Sequence, residues 1–212
     1  ALAREAITAH RAQTGRAAAL LVAGSLGPHG ATRADGSEYS SAAHLDPDAL
    51  YAFHRQRVLS IARAAPDLVY FETIPSAAEA RVICAVARDL DLRRVWLSLS
   101  CADGAFTCGG DRVADIVAEI DSFDAIEAVG VNCTAPGAIA SLVRAMKSAT
   151  AKPIVVCPNL EPERHGRAGG SVEAELASRV REWLALGVSH IGGCCGAGPQ
   201  AIGAIARAAA SA

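Results

Sequence analysis

Residues 67–100, DLVYFETIPSAAEARVICAVARDLDLRRVWLSLS, contain one complete strand, helix and strand. DLVYFE (67–72) is a short apolar run with the length and composition of a buried strand. SAAE (76–79) follows as a capping box, in which the serine accepts an amide proton from the new helix and the glutamate reaches back. Ile83, Val86 and Leu90 then fall on one helical face, and VWLSLS (95–100) is a second apolar strand. Two strands apolar on both faces and joined by a helix are read as parallel neighbours with the helix packed across them.

The same alternation extends in both directions. Upstream, AAALLVA (17–23) is read as a strand, followed by the polar loop 24–45 and a helix capped by Asp46 with Pro47 at its first position. Leu50, Phe53, Val58 and Ile61 mark the buried face of that helix, and residues 1–15 have the charge spacing of another, amphipathic one. Downstream, Val113, Ile116, Val117 and Ile120 recur at helical spacing within 111–121, and Ile139, Leu142, Val143 and Met146 do so after the strand AIEAVGVN (125–132) and Pro136. PIVVC (153–157) and VSHIG (188–192) are read as strands, with helices from Ser171 to Leu186 and from Pro199. The count is six strands, in either a doubly wound open sheet or a (β/α)8 barrel. A barrel of the TIM type has eight strands and typically about 250 residues, so on that reading the first two βα units are absent from this chain.

The chain has 212 residues, 51% of them hydrophobic, which fits a single domain over 1–212. A net charge of -2, from 20 basic and 22 acidic residues, leaves no electrostatic footprint for nucleic acid or an anionic membrane. No apolar run has the length to cross a bilayer and residues 1–15 are unlike a signal peptide, so a soluble, cytoplasmic protein is expected. Seven cysteines without an export signal point to free thiols or metal ligands in preference to a disulfide framework.

Three of those cysteines fall where parallel α/β folds gather ligands, at the carboxyl ends of strands: Cys133 after AVGVN, Cys194 and Cys195 after SHIGG. Three sulfurs from two strand ends fit a zinc site with three protein ligands and one open position. Gly192, Gly193 and Gly196 give the backbone the freedom to turn two successive side chains toward one ion. Simple packing, a vicinal disulfide, or use of GGCCG as a phosphate cradle remain as alternatives. Glu72 ends a strand on the same rim, where a carboxylate suits either an ammonium ligand or a helix dipole. Asn132, beside Cys133, could bond substrate or brace the loop. Cys101 and Cys108 are expected to pack, and so are Trp96 and Trp183; His29, His44 and His165 are expected in solvent, and His190 as a core histidine.

GVNC (130–133) and GGCCG (192–196), preceded by FETIP (71–75), VAGSLGPHGA (22–31) and DGSEY (35–39), resemble the homocysteine S-methyltransferase family, in the branch that uses S-methylmethionine or S-adenosylmethionine. The resemblance implies a (β/α)8 barrel in which Cys133, Cys194 and Cys195 bind zinc and Glu72 helps hold the amino group of homocysteine. It implies methyl transfer from a sulfonium donor to the homocysteine thiol, giving methionine. The chain departs from the family pattern in lacking the Asp-Gly-Gly motif of a first strand, and in CPNLEPERHGRAGG (157–170), where a Pro-Asn-Ser-Gly-Glu loop is usual. The rival classes are a phosphate-binding barrel isomerase or aldolase and a barrel that binds zinc or thiols without catalysis.

Overall fold

A computed structural model describes residues 2–15, 19–40, 45–161 and 172–211. Helix α1 (Leu2–Thr14) precedes strand β1 (Ala23–Leu26), and two short 3-10 turns, His29–Arg33 and Ser37–Tyr39, lead to α2 (Pro47–Ala62). Then come β2 (Leu68–Ile74), α3 (Ala77–Asp89), β3 (Val95–Leu99), α4 (Val113–Ile120), β4 (Ile126–Asn132) and α5 (Pro136–Lys147). Strand β5 (Ile154–Cys157), α6 (Val172–Ala185), β6 (His190–Ile191) and α7 (Pro199–Ala210) complete the order.

The six strands form one parallel sheet in the order β1-β2-β3-β4-β5-β6. A doubly wound sheet reverses its strand order at a switch point; this one never does, which decides against the open-sheet alternative. The sheet is also curled. In a flat sheet β3 and β6 would lie about 14 Å apart, three spacings of about 4.8 Å. Yet the rings of Trp96 on β3 and His190 on β6 meet with centroids 4.5 Å apart, so the strands bend toward each other around a concave face. The result is a six-stranded arc of barrel type, and no full (β/α)8 barrel is formed by the described residues.

Alternation along the strands separates two cores. Val69, Phe71, Val95, Leu97, Val129, Val131, Ile154 and Val156 point outward and interdigitate with the apolar faces of α3, α4 and α5. Leu68, Tyr70, Ala128 and Val155 point to the concave face, with Trp96 and Cys157 against them. Helix α4 buries Val113, Ile116, Val117 and Ile120, and α5 buries Ile139, Leu142, Val143 and Met146, the residues expected from their spacing; α3 buries Ile83 and Val86 as expected, and Cys84 with them, while Leu90 at its end is only half-buried.

Five further details differ from the sequence expectation. The first strand lies at Ala23–Leu26, not at 17–23: Leu20 and Leu21 are exposed, and the register is set where Asp67 accepts the Val22 amide at 2.7 Å and donates its own to the Val22 carbonyl at 2.8 Å. Residues 17 and 18 of the expected strand, and His44 and His165, lie outside the described residues. On α2, Leu50 and Val58 are buried while Phe53 and Ile61 are only half-buried, and His54 takes the fully buried place between them. The capping box is half made: Asp46 caps α2 as expected and Ser76 accepts the Glu79 amide at 3.4 Å, but the Glu79 side chain turns away to His54. His190 is exposed on the concave face and not in a core, and the His29 ring packs edge-on against Phe53 at 4.9 Å.

Candidate metal centre

The sulfurs of Cys133, Cys194 and Cys195 converge at the carboxyl end of the arc. Cys133 follows β4 and the other two follow β6, so β5 lies between their strands. The Sγ separations are 2.6 Å for Cys133–Cys194, 3.7 Å for Cys133–Cys195 and 3.9 Å for Cys194–Cys195. Among the described residues this is the one group of three or more His, Cys, Asp or Glu side chains able to share an ion.

Backbone contacts fix the sulfurs. Cys133 adopts a φ of 49, a left-handed conformation uncommon outside glycine, while its amide donates to the Cys157 carbonyl at 3.1 Å. The Cys194 amide donates to Pro158 at 3.0 Å, the Leu160 amide to the Cys195 carbonyl at 2.7 Å, and the Ala197 amide to the Cys194 carbonyl at 3.1 Å. Gly196 closes the turn with φ +74, and a Cβ there would meet the Glu161 nitrogen at 2.8 Å, so both the conformation and the space require glycine. Within the GGCCG loop the Gly192 and Cys194 amides are committed to the Val156 and Pro158 carbonyls.

The charge pattern fits a cation. The contact with Cys194 holds the Cys133 thiol below its ordinary pKa, aided by a hydrogen bond from Tyr39. The same contact pushes Cys194 up, and burial raises Cys195. Three sulfurs this close cannot all be anionic without a positive partner, and a soft dipositive ion supplies one. Two of the three separations also match the edge of a tetrahedral thiolate site, about 3.8 Å for metal–sulfur bonds of about 2.3 Å. The Cys133–Cys194 edge would open by about 1 Å to match.

Glu72 and Asn132 reach this rim in different ways. The β2–β3 register shifts between Phe71 and Ile74, a bulge that holds Glu72 and Thr73 off the helical side while Ile74 returns to it. Glu72 is half-buried and accepts a hydrogen bond from Ser25 Oγ on β1. Thr73 sits at φ 66, an outlier for a β-branched residue, and Asn132 holds it there: Oδ1 accepts the Thr73 amide at 2.6 Å and Nδ2 donates to Thr73 Oγ1 at 2.8 Å. The fully buried Asn132 also directs Nδ2 at Cys194 Sγ, 3.7 Å away. Cys157, in register with Asn132, lies on the concave face, with its thiol pushed up to about 11 by burial. Cys101 is buried and Trp183 fully so, as packing residues, and Cys108 is half-buried. Sequence reasoning assigned no role to Tyr39, Thr73 or Ser25, although each lies in a stretch that carries the family resemblance, DGSEY, FETIP and VAGSLGPHGA.

A family model described as homocysteine S-methyltransferase matches residues 1–209. The chain belongs to the homocysteine S-methyltransferase family. Homocysteine S-methyltransferase 4 of Zea mays is 41% identical over 198 residues, spanning 89% of this chain and 58% of that protein. Homocysteine S-methyltransferase of Escherichia coli (strain K12) is 35% identical over 210 residues, spanning 96% of this chain and 67% of that protein. The metallated form of the homocysteine methyltransferase MmuM from Escherichia coli superposes with a TM-score of 0.85 at 35% identity, covering 97% of this chain and 67% of its own. The chain thus spans little more than half to two thirds of the length of these homocysteine S-methyltransferases. No helix among the described residues is long and apolar enough to cross a membrane.

Proposed function

We propose that this chain supplies the metal-binding part of a zinc-dependent methyltransferase that moves a methyl group from a sulfonium donor, S-methylmethionine or S-adenosylmethionine, to the thiol of homocysteine, giving methionine. The observation that carries the reading is the convergence of the three sulfurs of Cys133, Cys194 and Cys195 on one rim. Zinc suits this donor set because it accepts tetrahedral thiolate ligation and leaves a fourth position for substrate. Cys133, Cys194 and Cys195 would hold the ion, and zinc there would lower the pKa of a coordinated thiol so that its proton is lost to solvent, while three thiolates would keep that sulfur electron-rich.

The residues of this chain do the rest by placement. Glu72, on the concave face by alternation with Leu68 and Tyr70 and held by Ser25, offers a carboxylate to the substrate ammonium. Asn132 braces the rim, tying the end of β2 to the end of β4 and pointing an N–H at Cys194. The substrate thiolate forms a bond to the methyl carbon as the carbon–sulfonium bond breaks, and the leaving sulfur takes the electron pair as a neutral thioether. No general acid is needed, and alignment of the two sulfurs supplies most of the remaining rate.

The arc is read as part of a (β/α)8 barrel, completed by two further βα units against the edges of β1 and β6. Its curl and the likeness to MmuM support this. The reaction is tested by incubating the full-length protein with homocysteine and each donor and measuring methionine. Methionine formation that stops on zinc chelation is expected; zinc-loaded protein inert with both donors would defeat the assignment.

A further inference from the structure

Thr73 carries a hydroxyl whose proton has no acceptor among the described residues. Its φ of 66 is a conformation that glycine would adopt freely and a β-branched residue resists, yet three contacts hold a threonine there. Asn132 Oδ1 accepts the Thr73 amide at 2.6 Å, Asn132 Nδ2 donates to Thr73 Oγ1 at 2.8 Å, and Ser100 Oγ, just past β3, donates to the Thr73 carbonyl at 3.3 Å. These contacts leave one assignment of roles. A backbone N–H can only donate, so Asn132 must turn its oxygen toward it and its NH2 toward the hydroxyl, which therefore acts as the acceptor. The Thr73 O–H proton is left directed away from Asn132.

That donor stands beside both the carboxylate and the sulfurs. Alternation along β2 would send Glu72 to the concave face and Thr73 to the helices, but the bulge between Phe71 and Ile74 and the left-handed φ bring the Thr73 hydroxyl to the Asn132 side chain. Two successive residues thereby present polar groups at one rim. Asn132 Nδ2 lies 2.8 Å from Thr73 Oγ1 and 3.7 Å from Cys194 Sγ, so the hydroxyl is no further from that sulfur than these two distances laid end to end. In an amino acid with a two-carbon thiol arm the carboxylate oxygens extend about 6 Å from the sulfur, a comparable reach. Glu72 and Thr73 are half-buried and open to a ligand, whereas Asn132 behind them is fully buried.

We propose that Thr73 is a substrate-binding residue that recognises the acceptor by its α-carboxylate: Glu72 takes the ammonium, and the Thr73 O–H donates to the carboxylate on the same carbon. The inference rests on the reading above that homocysteine is the acceptor. An O–H given to an anion makes a short, charge-assisted bond, and one is needed here because Glu72 alone would repel a carboxylate. Asn132 is a positioning residue in this scheme, since by occupying the acceptor side of the hydroxyl it turns the proton toward the ligand. A thiol that carries an ammonium but no carboxylate leaves the O–H without a partner, so the rim separates an amino-acid acceptor from a simple aminothiol.

The test measures binding to the zinc-loaded, full-length protein by titration calorimetry, using homocysteine and 3-aminopropane-1-thiol, which keeps the thiol and the ammonium and lacks the carboxylate. Thr73→Val is expected to weaken homocysteine binding about tenfold, to leave the aminothiol affinity unchanged and to retain its zinc, while Thr73→Ser keeps the wild-type affinity for both. Should Thr73→Val fail to fold, Thr73→Gly, which is unstrained at this φ, removes the same hydroxyl and carries the same test. An unchanged homocysteine affinity in the folded variant would overturn the proposal. So would an equal loss for both ligands, which would make Thr73 a brace of the rim that does not touch substrate. Wild-type protein that holds zinc and does not bind homocysteine would instead defeat the homocysteine reading, and the inference with it.

Discussion

Two strained residues, Cys133 at φ 49 and Thr73 at φ 66, lie on facing parts of the sulfur rim and are linked through Asn132. Such conformations cost about 1–3 kcal/mol each and persist where surrounding bonds over-determine them, as Asn132 does for Thr73. What the strain at Cys133 obtains is direction: its sulfur turns toward those of Cys194 and Cys195. Glu72→Gln is accordingly expected to raise the KM for homocysteine by about tenfold, through loss of a charge-assisted bond, with zinc content unchanged. Zinc lost on this substitution would make Glu72 a support of the metal; an unchanged KM would remove it from the substrate pocket. The convergence of the three cysteines was legible because each follows an apolar strand at its carboxyl end, where a parallel α/β fold gathers its loops on one rim. Thr73 and Ser25 were given no role, because a threonine and a serine in strands have no chemistry of their own to point to until the fold pairs them with Asn132 and Glu72.

Among the elements, helices were read more faithfully than strands. The faces of α4 and α5 follow from apolar spacing alone and their buried residues are the expected ones, while α3 buries Ile83 and Val86 as expected but leaves Leu90 half-buried. Ile83→Ala in α3 is expected to destabilise the fold by about 2–5 kcal/mol, since the side chain is fully buried and the cavity cannot collapse between α3 and the sheet; chemical denaturation measures it, and a loss below about 1 kcal/mol would mean that the neighbours repack. Strand β1 was misplaced because its register comes from Asp67 and Val22, two residues far apart in sequence, and not from its own pattern. The Val22 amide, with Arg4 nearby, holds the Asp67 carboxyl below the usual carboxylate range. A group whose folded pKa is depressed contributes above its unfolded value and loses that contribution as pH falls through the folded one. The Val22 amide resonance should therefore shift on acidification before the signals of β3 and β4 change; all three changing together would show that Asp67 does not anchor this strand separately. The capping box at Ser76 failed for a similar reason, since the long-range demand of His54 and the His29 amide outcompeted the local bond.

At the scale of the molecule, the alternation of strands and helices was enough for a parallel sheet but not for its shape. Strand order and curl are set by contacts between distant positions, such as Trp96 with His190, and periodicity within a segment carries no record of them. The same curl brings Cys133, one strand removed from β6, within contact of Cys194 and Cys195, so fold and site stand or fall together. The most direct test is metal content. Full-length protein purified under reducing conditions is expected to hold about one zinc ion per chain, and the Cys194→Ser, Cys195→Ser double variant to hold none after dialysis against a mild chelator. Zinc retained in full by the folded double variant would contradict the account, because the ion would then be held somewhere other than on the three converging sulfurs.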